Sequence, residues 1–79
     1  MQKNDETKVK NLIGENLART RNMRGYTQQE LSALMNARGC SLNWTGISKI
    51  ENGTRKAYDY EVLCFSQVLE VSLEELYNT

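Results

Sequence analysis

Seventy-nine residues are enough for one compact domain and too few for two, because a short chain buries proportionally little of its surface. No apolar run approaches the ~18 residues of a membrane span, and Met1 to Lys10 is polar rather than a charged-then-apolar secretory leader; the chain reads as cytoplasmic, with no membrane partner. Ten Lys and Arg balance ten Asp and Glu, the two cysteines lack CxxC spacing and histidine is absent, so neither a zinc set nor a histidine-based catalytic set is present and no cofactor is implied.

The polar stretch Met1 to Asp5 reads as a flexible tail, and residues 6–79 as a single all-α domain of five short helices. Val9, Ile13 and Leu17 recur at spacing four, with Leu12 beside them, which predicts a first helix from about Glu6 to Arg24 stopped by Gly25. Arg19, Arg21 and Arg24 then lie near its C-terminus, where the helix dipole favours positive charge. Thr27-Gln28-Gln29-Glu30 is a capping box that opens a second helix, with Leu31, Leu34 and Met35 as its apolar stripe and Gly39 as its stop.

Asn43 is a good N-cap for a third helix, Trp44 to Glu51, which has Ile47 and Ile50 three apart and is closed by Asn52-Gly53. Asp59 is expected to cap a fourth helix bearing Val62, Phe65, Leu69 and Leu63, and Ser72-Leu73-Glu74-Glu75 is a second capping box for a short fifth helix with Leu73 and Leu76. No segment alternates for long enough to read as a strand. Cys40 and Cys64 read as two reduced core thiols; the alternative, a disulfide between them, is disfavoured by a reducing cytosol.

Neutral overall charge conceals a segregated distribution. Every basic residue falls between Lys3 and Lys56, whereas Asp59, Glu61, Glu70, Glu74 and Glu75 stand unopposed, which gives roughly +5 before Tyr58 and −5 after it. Such an asymmetry orients a protein on a polyanion, with one end towards phosphate.

In chain order, Ile13-Gly14, Arg21, Gly25-Tyr26-Thr27-Gln28-Gln29-Glu30-Leu31, Ile47-Ser48-Lys49-Ile50-Glu51-Asn52-Gly53, Arg55 and Val71-Ser72-Leu73-Glu74-Glu75-Leu76 follow a known pattern. It resembles that of the phage-repressor and Cro-like helix-turn-helix family of bacterial transcriptional regulators, over about residues 11 to 77. The resemblance implies that the second helix lies across a DNA backbone, with Thr27 and Gln28 at a phosphate, and that the third enters the major groove. It implies base contacts from Trp44, Thr45, Ser48 and Lys49, phosphate contacts from Asn52, Arg55 and Lys56, and a structural salt bridge between Arg21 and Glu51. Lys49 can donate to guanine O6 and N7 and Thr45 can meet a base edge or a thymine methyl, each worth about 1–3 kcal/mol of discrimination.

Three features depart from the family pattern. Between Leu31 and Ile47 the chain has about five residues more than a tight turn requires, with Asn36 to Ser41 as the extension. Trp44 stands where a polar reader is usual; it either folds onto the extended turn as an apolar lid or presses on thymine methyls and sugars. Gly46, costing about 1 kcal/mol of helix propensity, either admits the DNA backbone closely or is merely tolerated.

The expectation is a sequence-specific transcriptional regulator, a repressor, that binds double-stranded DNA as a homodimer through the region Val71 to Tyr77. The rival is a protein-interaction module of the same fold in which DNA binding is weak or lost; a regulatory protein partner fits either reading. Enzymatic activity is not expected, because no catalytic residue set and no metal-ligand set is legible.

Overall fold

Start and stop signals divide the chain into five helices, which the computed structural model, describing residues 13–77, places at α1 (Gly14–Met23), α2 (Gln28–Ala37), α3 (Trp44–Glu51), α4 (Asp59–Leu69) and α5 (Leu73–Tyr77). No strand occurs among the described residues. None of their helices is long and apolar enough to cross a membrane. The expected start of the first helix at Glu6, with Val9 and Leu12, lies outside the described residues, as does the tail Met1 to Asp5.

The helix boundaries follow from local chemistry. At α2, Thr27 Oγ1 accepts from the Glu30 N–H at 3.0 Å while Glu30 Oε1 accepts from the Thr27 N–H at 2.8 Å, so two otherwise orphaned amides are satisfied reciprocally. Ser72 and Glu75 repeat the arrangement at α5, at 3.0 and 2.8 Å. Asn43 Oδ1 accepts from the Gly46 N–H at 3.0 Å and opens α3. Past α2, Gly39 takes a left-handed φ of 86°, which frees the chain to leave the helix axis.

At α4 the expectation needs correcting. Asp59 is the first helical residue, not the cap; Tyr58 occupies the cap position, and its N–H donates to Glu61 Oε1 at 2.9 Å. The Glu61 carboxylate, at the third helical position, thus satisfies the N–H of the cap residue, the reciprocal half of a capping box.

All five helices contribute to one core. Leu17 of α1, Leu31 and Met35 of α2, Ile47 and Ile50 of α3, Phe65 of α4 and Leu76 of α5 have no solvent exposure. Burying an aliphatic or aromatic side chain contributes about 1.5–3 kcal/mol, so these contacts rather than helix propensity hold elements this short. Three of the expected apolar positions are not met in full: Leu34 is half-buried, and Leu63 and Leu73 are exposed. Cys40 and Cys64 are both buried and free, and burial pushes the Cys40 thiol up to about 11, keeping it protonated at neutral pH.

A buried polar clamp fixes α5. Asn16 on α1 donates from Nδ2 to the Leu76 carbonyl at 2.9 Å, sixty residues away in sequence, and its own Oδ1 accepts from Arg19. At the other end Arg24 donates to the Leu69 and Glu70 carbonyls at 2.8 and 3.0 Å, placing a cation at the negative end of α4. Asn16 and Arg24 therefore tie the C-terminal part of α5 and the end of α4 to the first helix and its cap.

Candidate nucleic-acid interface

Because Ile47 and Ile50 fill the core, helical periodicity turns the opposite side of α3 outward. Thr45 and Lys49 are exposed there and Ser48 is half-buried. Thr45 Oγ1 donates to Asn43 Oδ1 at 2.8 Å, which fixes its hydroxyl on the cap and leaves the oxygen's lone pairs for an incoming donor. Lys49 is the only cation on α3.

The C-terminal end of α3 is braced by a network spanning three helices. Arg21 of α1 donates Nε to Glu51 Oε2 at 2.7 Å, Nη2 to Oε1 at 3.1 Å and Nη1 to the Tyr26 carbonyl at 2.7 Å. Gln28, first residue of α2, donates Nε2 to the same Glu51 Oε1 at 3.0 Å. The side chains of Arg21 and Glu51 are only 12% and 8% exposed, and the hydrogen bond to Glu51 raises the Arg21 pKa further above its ordinary value. One amide proton of Gln28 is thereby committed to the brace rather than turned towards solvent. Thr27 Oγ1 is likewise committed as a cap.

Beyond α3, Asn52 Oδ1 accepts from the N–H and the hydroxyl of Thr54, at 3.1 and 2.8 Å, and so closes the turn. Lys56 is exposed. Arg55 forms a bidentate pair with Glu61, Nη1 and Nη2 each 3.0 Å from a carboxylate oxygen, and its guanidinium stands 5.3 Å from the Tyr58 ring centre. Together with Asn36, Ser41, Asn43, Thr45 and Lys49, Arg55 lines an open, largely polar groove of about 410 Å³. Of the expected contact residues, Thr45, Lys49 and Arg55 thus line this groove together, whereas Ser48, half-buried on α3, and Lys56, exposed in the loop, are not part of its lining.

The extended connection from Arg38 to Asn43 is pinned rather than loose. Its Cys40 and Leu42 side chains are 7% and 6% exposed, and the Leu42 carbonyl accepts from Ser32 Oγ at 2.7 Å and from Asn36 Nδ2 at 3.2 Å. These contacts bear on the reading of Gly46. Gly46 is buried, and a Cβ there would stand 2.6 Å from Leu42 Cδ1, so its small size serves packing within the protein. Trp44 is 45% exposed, and the side chains buried in the turn are Leu42 and Cys40.

Leu42 was missed in the sequence although a signal existed. It precedes the Asn43 cap and Ile47 lies four residues after it, the spacing of a hydrophobic staple, and both side chains belong to the core. Glu61 was missed as well. It stands three residues after Tyr58, the capping-box position, but its pairing with Arg55 has no sequence signature.

Folding partly undoes the charge segregation seen along the chain. Arg24 reaches the end of α4, Arg38 donates to Gln67 on α4 at 3.3 Å, and Arg55 is neutralised by Glu61. Lys49 on α3 and Lys56 in the loop after it are both exposed. No protein-family model, no curated protein and no solved structure matches this chain.

Proposed function

We propose that this protein is a sequence-specific DNA-binding transcriptional regulator, a repressor, in which α2 and α3 act as a helix-turn-helix and α3 enters the major groove as one half of a homodimer. The observation that carries the reading is the build of α3: isoleucines anchored in the core, a brace to α1 and α2 at one end, and Thr45, Ser48 and Lys49 outward on a rigid element. A reading helix needs such fixity, since base contacts discriminate only when their donors are held in place. Lys49 supplies the strongest base contact and Thr45 an acceptor. Trp44, half-exposed at the start of α3, is the apolar neighbour for a thymine methyl. Thr27, Gln28, Asn52 and Lys56 bound the helix with groups suited to phosphate, the α2 N-terminus through its backbone N–H groups.

The test is selection of duplexes from a random pool, followed by anisotropy titration of the winner. Lys49→Ala is expected to cost about 1–3 kcal/mol on that duplex and to relax the preference at one base pair. A palindromic winner with half-sites about 10 bp apart fits the homodimer. Equal affinity for all sequences would sink the reading.

One observation favours a second reading, a protein-interaction module: Trp44, Tyr58 and Tyr60 are 45%, 57% and 58% exposed, and the two tyrosine rings stack at 5.7 Å. Negligible DNA binding combined with a Trp44 fluorescence change on adding a partner protein would select it.

A further inference from the structure

Arg55 stands where the helix-turn-helix resemblance implies a phosphate ligand, yet its guanidinium is occupied. Nη1 and Nη2 donate in parallel to the two oxygens of Glu61 at 3.0 Å each, and Nη1 also donates to the Lys56 carbonyl at 3.0 Å. Glu61 is 1% exposed and accepts, besides, the Tyr58 N–H at 2.9 Å. A carboxylate so far removed from water must keep its counter-charge, and moving Arg55 onto a phosphate would strand it. The paired unit is close to neutral, so from where it sits it offers a polyanion little.

We propose that Arg55 is a structural rather than a DNA-contacting residue: with Glu61 it forms a fixed, charge-neutral latch that ties the loop after α3 to the first turn of α4, and it neutralises no phosphate itself. The inference rests on the DNA-binding reading and changes which side chain sets the sequence-blind part of the affinity, to Lys56.

The decisive variant is Arg55→Met/Glu61→Met, which removes both charges together and leaves the net charge unchanged. Its affinity for a labelled duplex of random sequence is measured by anisotropy against salt, with melting of the free protein alongside. On the latch, the double variant stays within twofold of wild type and keeps its slope of log affinity against log salt, whereas Lys56→Ala makes that slope shallower by about 0.9, the loss of one phosphate contact. Arg55→Ala alone, which leaves Glu61 buried without its partner, melts below the double variant. A slope shallower by about 0.9 in the double variant makes Arg55 a phosphate ligand and overturns the proposal. So does an Arg55→Ala protein that melts no lower than the double variant. Should the double variant fail to fold, Glu61→Gln decides: a slope steeper than wild type, from an Arg55 that has lost its neutralising partner, supports the latch, and an unchanged one, from an Arg55 already on a phosphate, refutes it. Failure of the DNA reading is seen separately, in a wild-type chain whose duplex binding is absent or indifferent to salt, and it removes the proposal too.

Discussion

Gly46 and Leu42 form a matched pair whose energetics can be separated by mutation. Alanine in place of a helical glycine gains about 1 kcal/mol of propensity, but here the new methyl meets Leu42 Cδ1 at 2.6 Å. Leu42 is 6% exposed, so it must leave its seat for the methyl to fit, and burial is lost. Gly46→Ala is therefore expected to be no more stable than wild type. Leu42→Ala is expected to cost about 2–5 kcal/mol, the range for a buried leucine. In that background the obstruction is gone, and adding Gly46→Ala is expected to recover about 1 kcal/mol. Urea midpoints of the four proteins measure the cycle, and equal effects of Gly46→Ala in the two backgrounds would show that the methyl and Leu42 do not compete. The same pair shows what a sequence hides at this scale. Glycine inside a helix signals that something comes close, but not whether the neighbour is DNA or a leucine four residues back.

Among elements, the placement of α3 depends on Glu51, which receives Arg21 from α1 and Gln28 from α2. Glu51→Ala leaves Arg21, 12% exposed, with only the Tyr26 and Asn22 oxygens as partners, and the expected loss is about 3 kcal/mol, as for other buried pairs broken on one side. Glu51→Gln keeps one acceptor oxygen for the three donor groups and is expected to lose less. Urea unfolding with an unchanged m-value reports the difference. A loss below about 0.5 kcal/mol in Glu51→Ala would place the pair with weak surface ion pairs. At this scale the sequence was most legible where the chemistry is local. The Thr27, Asn43 and Ser72 caps and the stops at Gly39 and Gly53 each involve residues within a few positions, and helices two, three and five begin where those signals predict. What escaped was non-local or carried by an unusual residue. Tyr58 has no capping side chain, so Asp59 is the residue that reads as a cap in the sequence, and the Asn16 clamp joins residues whose neighbourhood exists only after folding. Of the candidate surface, the outward side of α3 was legible from the isoleucine spacing. The commitments of Gln28 to Glu51 and of Arg55 to Glu61 were not, because a polar side chain at the surface looks the same in sequence whether or not a partner waits for it.

For the whole molecule, the acidic end bears on the proposed assembly. α5 packs on α1 and α4 through Leu76, which is fully buried, while Leu73 and Tyr77, four residues apart on the same helix, are 44% and 45% exposed. Two copies meeting through this helix would bury those apolar groups, but they would also bring Glu70, Glu74 and Glu75 of each copy near their counterparts. Like charges near a surface repel, and salt screens them over about 8–10 Å at moderate ionic strength. Self-association is therefore expected to strengthen as salt rises, whereas DNA affinity weakens as counterion release loses its drive. The opposed trends are measurable, one by sedimentation of the free protein and the other by anisotropy on a selected palindromic duplex. Leu73→Gln/Tyr77→Gln removes exposed side chains without touching Leu76, so the protomer is expected to keep its melting temperature and lose its dimer. Its affinity for the full palindrome should fall to that for a single half-site, with half-site affinity unchanged within twofold. A wild-type protein that stays monomeric on the palindrome, or a dimer that weakens with added salt, would move the interface away from α5 and its acidic flank.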